Sequence, residues 1–526
     1  MDLIDGARRR GHNASGTNLR DLRQGLLDLS DERGRYHGFH PCSLLQHVLR
    51  LCCIVPAGAG MPVHHSMRAA RRLSTEGRLA GCIPRLGVGG QTRWAPLSWC
   101  CRDITEKGAL SMIVRIDLGV LEFDVSDLSA SQADARLHEL VRERERTAFA
   151  EMCAQVEAAG LSARSCECGG DPKVKDRRRR TVSTLGGEVE VVVRRLRCPD
   201  CGAQVRPLDV FLAPGRRHTL PVIEAGLYLA TDVSYAKSAG ALHKLTGACI
   251  SHGQLQRLAE AEGPRIDAEL HRAADDLYGL GLDPGEIVTR TRDDTLVIAI
   301  DGGAVPDRAT GDGFEAKVAV LYGVRAEISH GRHALVDRVG YAGLEDPVTF
   351  AKRVSTLALR HGMRSAGRVL AIGDGAGWIR RMIRDFLPDA IYLLDLFHLK
   401  RRVREVLCEE TDADLLQSVF AACAAGDPRE ALRLLAGHMP PEEKSEAHRK
   451  LLHYIKTNSE GIANYARSDL FGSGCVEKGV DLIVSRRFKG LGRTWFKPGA
   501  LGMLKLRMLR FNGQWDDYWA ERLAAA

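Results

Sequence analysis

The sequence predicts a multidomain α/β protein. A chain of 526 residues exceeds what one hydrophobic core usually organises, and ~100–200 residues per domain suggests several units. Strand and helix patterns alternate between residues 290 and 398, helical patterns dominate residues 399–470, and two cysteine pairs lie within residues 166–201. These observations predict a small cysteine-bearing unit, a helical region, and a sheet-containing core with further helices.

The composition is that of an ordinary globular protein, with 44% hydrophobic residues, 27% charged residues and a formal net charge of +8. We recognise no secretory signal and no uncharged apolar run long enough to span a bilayer, so we expect a cytoplasmic protein. In that compartment the 15 cysteines are expected to be reduced, and grouped cysteines are interpreted first as metal ligands.

Residues 1–111 show no sustained period of 3.6 or 2 and are rich in Arg, Gly and His. We interpret this stretch either as a disordered extension or as the product of a mis-called start, because the first well-patterned segment opens at Met112. Mass spectrometry of the native N-terminus would decide. A peptide from residues 20–80 would exclude the mis-called start.

Residues 112–165 are predicted to be helical, since an apolar stripe runs from Leu137 to Val156. Residues 166–210 predict a zinc ribbon, because a Cys-x-Cys pair and a Cys-x-x-Cys pair are each followed by Gly and could supply four thiolates to one tetrahedral Zn²⁺. The predicted ligands are Cys166, Cys168, Cys198 and Cys201. The alternative is four free thiols in a small core.

Residues 211–289 are predicted to be helical and to include a helix-turn-helix-like pair. The first helix covers Ser234 to Leu245, Thr246-Gly247 form the turn, and Ser251 caps the second helix, which runs to Gly263. Such an element could bind DNA, although any helical hairpin has the same pattern.

Residues 290–398 predict a sheet. The elements, in order, are a strand ending at Asp301, strands at 317–322 and 335–341, a helix at 347–361, a strand ending at Asp374, a helix at 378–386 and a strand at 390–395. Three strands, a helix, a strand, a helix and a strand is the order of a ribonuclease H-like sheet, in which the first and fourth strands are neighbours.

Three carboxylates in this order predict metal-dependent chemistry: Asp301, Asp374 and Glu477. The two aspartates each end a buried strand and precede a glycine, whereas Glu477 opens a helical segment. Clustered carboxylates repel one another unless a divalent cation lies between them, which implies Mg²⁺ or Mn²⁺. Two ions ~3.5–4 Å apart would suit phosphodiester cleavage.

Asp395 competes with Asp374 for the second position, because it also ends an apolar strand. We prefer Asp374, and the alternative role for Asp395 is the N-cap of the following helix. His398, three residues after Asp395, is a secondary candidate that could equally be structural.

Basic residues form local clusters that could contact the phosphates of DNA. They are Arg177, Arg178, Arg179, Arg180, Lys400, Arg401, Arg402, Arg486, Arg487 and Lys489. Any one of these runs could instead be a solvated surface.

Five motifs together resemble those of a known family. They are Ile300-Asp-Gly302, Gly373-Asp-Gly-Ala-Gly-Trp-Ile379, Leu394-Asp-Leu-Phe-His398, Gly472-Ser-Gly-Cys-Val-Glu-Lys478 and Arg487-Phe-Lys-Gly-Leu-Gly-Arg-Thr-Trp495. With the cysteine pairs, they resemble the ISKra-type family of bacterial insertion-sequence transposases, within the Mutator-like DDE group. The resemblance covers about residues 112–520.

The resemblance implies a ribonuclease H-like catalytic domain in two parts, residues 290–398 and 471–526, split by an all-helical insertion at 399–470. It implies a bacterial, nucleoid-associated DNA transposase that binds terminal inverted repeats and target DNA, acts as a homodimer or higher assembly, and uses two Mg²⁺ ions per active site for strand cleavage and strand transfer. The alternatives are a ribonuclease H-like structure-specific nuclease without strand transfer and a non-enzymatic zinc-ribbon DNA-binding regulator.

Overall fold

The computed structural model describes residues 114–525, apart from residues 163, 214, 331, 468–473 and 491. Residues 1–111, Met112 and the Gly472-Ser473 start of the Glu477 motif lie outside the described residues. The described chain is an α/β protein with two sheets and many helices, as the sequence predicts. None of the helices within the described ranges combines the length and hydrophobicity that a membrane crossing requires.

The first part of the described chain is a long helix packed on a small antiparallel sheet of order β1-β2-β3. The elements are α1 (Ala130–Ser162), β1 (Lys173–Thr184), β2 (Gly187–Arg197) and β3 (Gln204–Val205). Cys153 and Val156 of α1 are buried against this sheet, whereas Leu137 and Val141 are 41% and 38% exposed. Only the second half of the predicted apolar stripe is therefore part of a core.

Four helices follow: α2 (Leu220–Ala230), α3 (Tyr235–Thr246), α4 (His252–Ile266) and α5 (Ala268–Leu280). The predicted helix pair is confirmed as α3 and α4. Gly247 ends α3 with a left-handed φ of 75°, and the Ser251 hydroxyl accepts a hydrogen bond from the backbone N–H of Gln254 at 3.1 Å. The end of α3 and the start of α4 could therefore be predicted from a turn glycine and a capping serine.

The larger sheet is mixed and has five strands in the order β6-β5-β4-β7-β8. The strands are β4 (Thr295–Pro306), β5 (Gly313–Ser329), β6 (Arg332–Gly343), β7 (Arg368–Gly373) and β8 (Ile391–Leu394). The first three form an antiparallel meander, whereas β4, β7 and β8 are parallel. Helices α6 (Pro347–Arg360) and α7 (Gly377–Phe386) make the connections to β7 and β8.

Side chains alternate across β4 between two cores. Leu296, Ile298 and Ile300 belong to the core that contains α6 and α7, and Val297 and Ala299 belong to the opposite core. Both faces of the central strand are buried, which is why it reads in sequence as one continuous apolar run.

The helical insertion was predicted at residues 399–470, and its described part, which ends at residue 467, contains helices and no strand. The helices are α8 (Leu396–Val406), α9 (Ala413–Ala424), α10 (Pro428–Ala436), α11 (Ser445–Thr457) and α12 (Ser459–Ala463). The chain then forms α13 (Gly474–Val480), a π-helical turn (Asp481–Ser485), α14 (Arg486–Phe488), α15 (Lys497–Phe511) and α16 (Trp515–Ala524). Helix α15 packs closely against α4.

We expect Gly502→Ala to destabilise the protein, because the α4–α15 contact leaves no space for a side chain. A Cβ at Gly502 would lie 2.4 Å from the carbonyl oxygen of Ala259. Forcing the two helices apart should cost about 1–3 kcal/mol, measured as a lower thermal midpoint. Gly240→Ala in α3 is the matched control, because nothing lies within 4 Å of its Cβ position. An unchanged midpoint for Gly502→Ala would contradict the close contact.

Candidate active site

The register of the large sheet brings the predicted aspartates to one level. Ile300 of β4 pairs with Gly373 of β7, and Asp301 and Asp374 are the next residues along these two parallel strands. The prediction that the first strand ends at Asp301 was wrong, because β4 stays paired with β5 as far as Pro306. Its parallel pairing with β7 does end at Ile300, and since neighbouring strands lie ~4.8 Å apart, the two aspartates lie side by side there. This is the carboxyl edge, where open parallel sheets commonly bind their ligands.

Asp395 occupies the same level on the third parallel strand. Gly373 also pairs with Leu394 of β8, and Asp395 is the next residue along that strand. The N–H of Asp395 donates to the carbonyl oxygen of Gly373 at 2.8 Å. Both of its carboxylate oxygens have partners. Oδ1 accepts the N–H of Phe397 at 2.9 Å, and Oδ2 lies 2.6 Å from Nδ1 of His398. The interpretation of Asp395 as a helix N-cap is confirmed for α8.

His398 is buried next to these acids. Its hydrogen bond with Asp395 raises the pKa of the imidazole, against the opposing effect of burial, and the charges of Asp301 and Asp374 act in the same direction. Asp395 and His398 therefore form a buried pair beside Asp301 and Asp374.

Asp301 is a buried carboxylate close to other charged groups. It is 8% exposed, and burial raises its pKa to about 6. The N–H of Gly302, 2.7 Å from Oδ1, and the charge of His398 oppose this shift, while the charges of Asp374 and Asp395 add to it. A cation bound here would relieve both the burial cost and the repulsion.

The raised pKa of Asp301 predicts a pH-dependent stability in the absence of metal. The stabilising contribution is complete below the ordinary pKa of 3.8 and is lost as the pH rises through 6. Between pH 5 and pH 8 in EDTA, the wild type should therefore lose about 1–2 kcal/mol of unfolding free energy relative to Asp301→Asn. Thermal unfolding at both pH values measures this difference. A difference that does not vary with pH would contradict the shifted pKa.

Asp374 is half-buried and is supported by the helical segment that follows β8. Its Oδ1 accepts the N–H of Ala376 at 2.8 Å, and its backbone oxygen accepts the hydroxyl of Tyr454 from α11 at 2.7 Å. The next residue, Gly375, has a φ of 84°, and a Cβ there would lie 2.9 Å from Asn458. Reasoning from sequence missed Tyr454 and Asn458, although the Asp-Gly pair does indicate a tight turn.

Helix α13, which carries Glu477, runs alongside β4. At its start the carbonyl oxygen of Cys475 accepts the hydroxyl of Tyr322, which pairs with Val297 near the beginning of β4. At its end Val480 lies against Gly303, whose Cβ position is 3.3 Å from Val480 Cγ1. The helix and the strand therefore run in the same direction.

Glu477 lies on the sheet face to which Asp301 belongs. Residues 297, 299, 301 and 303 alternate onto this face, and Glu477 is one helical turn before Val480. Since Val480 lies against Gly303, the residue one turn earlier in α13, Glu477, is expected near the level of Asp301. Glu477 is half-buried, and its carboxylate makes no hydrogen bond or ion pair with the described residues.

The ligand atoms of these acids do not form a compact set within the described residues. Within the described residues, the four cysteines are the one group of three or more His, Cys, Asp or Glu whose ligand atoms all lie within 4.8 Å of one another. Asp301, Asp374 and Asp395 each follow a residue of one row of paired residues across the sheet, Ile300, Gly373 and Leu394. Their charges affect the pKa of His398, and the charge of His398 affects that of Asp301, so these four side chains lie close together. Glu477 is brought to the same face of the sheet but is not part of that electrostatic group.

The four predicted zinc ligands do come together. Sγ of Cys166 is 3.4 Å from that of Cys201, and Sγ of Cys168 is 3.4 Å from that of Cys198. Backbone N–H groups, chiefly that of Cys201, lower the pKa of the Cys198 thiol to about 7. Four sulfurs at these distances fit one tetrahedral ion with ~2.3 Å Zn–S bonds.

The predicted DNA-contacting residues differ in exposure. Arg177, Arg178 and Arg179 are exposed on β1, and Arg401, Arg402, Arg486 and Lys489 are also exposed. Arg180 is half-buried and donates to the carbonyl oxygen of Ala213, and Lys400 is half-buried with its ammonium over the ring of Phe420.

Arg487 requires a correction. It is 3% exposed, its Nε donates to the carbonyl oxygen of Ala230 at 2.8 Å, and burial lowers its pKa to about 10. The guanidinium lies 4.7 Å from the ring centroid of Trp495. An arginine held in the interior cannot lie along an exposed DNA backbone, so the prediction of a surface phosphate contact was wrong for this member of the cluster.

The fold and the site define a multidomain α/β protein with an acidic cluster at the carboxyl edge of its parallel strands. The chain belongs to the uncharacterised protein family UPF0236, whose family model matches residues 127–522. It is similar to a protein of Streptococcus gallolyticus described as "UPF0236 protein in vanSb 3'region", with 25% identity over 362 residues, covering 65% of this chain and 74% of that protein.

Proposed function

We propose that this protein is a DNA transposase of a bacterial insertion sequence, with Asp301, Asp374 and Glu477 as its metal-binding acids. The observation that carries the proposal is the single register row from which Asp301 and Asp374 emerge on adjacent parallel strands. The strand order, with an antiparallel meander joined to two parallel strands, supports a ribonuclease H-like fold for this part of the chain.

The environments of the aspartates support Asp374, rather than Asp395, as the second ligand. Asp395 is fully buried, and both of its oxygens are engaged by Phe397 and His398. Asp374 is half-buried and has one hydrogen bond to its carboxylate, from Ala376. A carboxylate with an uncommitted oxygen can bind a cation at lower cost.

Magnesium ions, when bound, would supply activation of the attacking oxygen and stabilisation of the leaving one. The protein's own contribution is to hold the acids on rigid strands and to concentrate negative charge at one buried edge. Asp395 fixes the ring of His398 beside the acids, and the helical segment fixes the backbone of Asp374 through Tyr454. These contacts favour a preformed site over one assembled from mobile loops.

The proposed reaction has two steps at one site. Water attacks a phosphodiester at the element's end, and the bond to the leaving 3′-oxygen breaks, giving a free 3′-hydroxyl. That hydroxyl then attacks a phosphodiester of target DNA, forming one new bond and releasing one target 3′-oxygen, which takes up the proton. No covalent protein intermediate is required.

The test combines purified full-length protein, Mg²⁺, a donor DNA that carries terminal inverted repeats from the flanks of the gene, and a target plasmid. Joined donor–target products support the transposase. Cleaved donor without joined products favours a structure-specific nuclease using the same acids. Binding to the repeats with neither product favours a DNA-binding regulator.

A further inference from the structure

We propose that a cavity beyond the end of β4 binds one nucleotide unit of a nucleic-acid strand, with its phosphate held by arginines and its base stacked on Phe496. The cavity has a volume of about 410 Å³, within the ~300–1,000 Å³ range of ligand pockets. It lies between the N-terminus of α3, residue Arg308 and the segment 492–496 that leads into α15.

Two backbone hydrogen bonds join the wall of this cavity to the end of β4, the strand that carries Asp301. The N–H of Trp495 donates to the carbonyl oxygen of Pro306 at 2.9 Å, and the N–H of Arg308 donates to that of Trp495 at 3.0 Å. Pro306 is the fifth residue after Asp301 along β4, which places it ~17 Å away at ~3.3 Å per residue. A strand of nucleic acid that reaches both places would span about five stacked nucleotides.

The charge of the cavity selects an anion. Among the described residues that line it, Arg308, Arg487 and Arg493 are cationic and none is acidic. The exposed Arg308 and Arg493 are the proposed phosphate contacts, and the buried Arg487 contributes only its charge. Helix α15 begins beside it at Phe496, which provides no side-chain cap for the first N–H groups. An uncapped helix start adds positive potential to that of the guanidiniums.

Buried polar groups in the cavity wall lack partners within the described protein. Trp495 is 9% exposed and its Nε1–H has no hydrogen-bond acceptor, and the hydroxyl of Tyr235 is likewise unpaired. Unsatisfied buried polar groups are rare in folded proteins, because each costs free energy. Both residues line the cavity, so its wall is polar as well as cationic.

The aromatic rim distinguishes a nucleotide from a simple anion. Phe496 is 47% exposed, and the Arg308 guanidinium lies 5.3 Å from its ring centroid. Inside, the Arg487 guanidinium lies 4.7 Å from the ring centroid of Trp495. An exposed ring beside arginines is a combination that binds single-stranded nucleic acid without sequence preference. The choice of DNA as the strand rests on the proposed function.

The test measures binding of a fluorescein-labelled, eight-nucleotide single-stranded DNA to the full-length protein by fluorescence anisotropy in EDTA. Phe496→Ala and Arg308→Ala should each raise Kd about tenfold, consistent with the loss of one stacked base or one phosphate contact. Phe496→Trp should retain wild-type binding. The matched controls Phe211→Ala, at a ring that is 41% exposed, and Arg429→Ala, at an exposed arginine, should change Kd less than about twofold.

A second arm replaces the oligonucleotide by its abasic counterpart. The abasic strand should bind the wild type more weakly and should no longer distinguish Phe496→Ala from wild type. Equal losses in Phe496→Ala and Phe211→Ala, or an undiminished effect of Phe496→Ala on the abasic strand, would overturn the proposal. Competition by inorganic phosphate or a mononucleotide at the same concentration at which the oligonucleotide binds would overturn the proposal of a nucleic-acid strand as ligand. That result would indicate a site for free anions.

These measurements separate the inference from the proposed function, because EDTA prevents metal-dependent cleavage. Phe496-dependent binding without any cleavage in Mg²⁺ would sustain the nucleotide site and contradict the transposase. Cleavage and joining without Phe496-dependent binding would support the transposase and contradict the nucleotide site.

Discussion

Asp301→Asn should lose Mg²⁺-dependent DNA cleavage by at least about a hundredfold while its affinity for the same DNA stays within about threefold of wild type. The amide keeps the size of the carboxylate but removes the charge that would bind the cation, and loss of a direct ligand should exceed the 10–100-fold effect typical of an outer-shell partner. Initial cleavage rates and DNA binding in EDTA measure the two quantities separately. Because the same change should stabilise the metal-free protein at pH 8, unfolding cannot account for lost activity.

Asp346→Asn is the matched control for this prediction. Asp346 caps α6, where its Oδ1 accepts the N–H groups of Val348 and Thr349, and asparagine is an equally good N-cap. Its cleavage rate should remain within about threefold of wild type. Wild-type cleavage by Asp301→Asn would contradict the assignment of Asp301 as a metal ligand.

Cys201→Ser should lose bound zinc and the folded state of the small sheet. We expect about one equivalent of zinc per wild-type chain, since four sulfurs converge there, and little or none in the variant. Structural zinc contributes about 10–16 kcal/mol of binding free energy in small domains, more than a three-stranded sheet is expected to supply alone. Metal analysis gives the stoichiometry, and limited proteolysis should cut the variant within residues 164–213.

Cys249→Ser provides the control for the zinc measurement, because Cys249 lies outside the four-sulfur group. It should retain its zinc and its resistance to protease. Equal zinc contents in the two variants, or a wild-type protein purified without zinc and still resistant to protease, would contradict a structural zinc site.

The strands that position the aspartates were predictable because their environment is uniform. Residues 296–300 and 369–372 are buried in the centre of the sheet, so an unbroken apolar run marks each strand. The following Asp-Gly marks the end of β7 but not that of β4, which continues to Pro306. The cysteine pairs were predictable for a different reason. Their short spacings and following glycines encode local turns, here with left-handed Gly169 and Gly202.

Features that depend on contacts between distant segments were not predictable. Arg487 belongs to a basic run, but its partner is the backbone of Ala230, 257 residues away. The support of Asp374 by Tyr454 spans 80 residues and leaves no local pattern. Leu137 starts the predicted apolar stripe, but its side chain is 41% exposed in the described chain. One sequence specifies which residues are apolar or charged, but not which distant segment covers them.

The common register row has a consequence for how such chains can diverge. Asp301, Asp374 and Asp395 each follow a residue of the same row, so their relative positions do not depend on the lengths of the connecting segments. Insertions between the strands should therefore be tolerated, whereas a one-residue deletion inside β7 would turn its side chains to the opposite face. Family members are expected to vary in the number of residues between these acids while keeping each acid directly after its residue of this row.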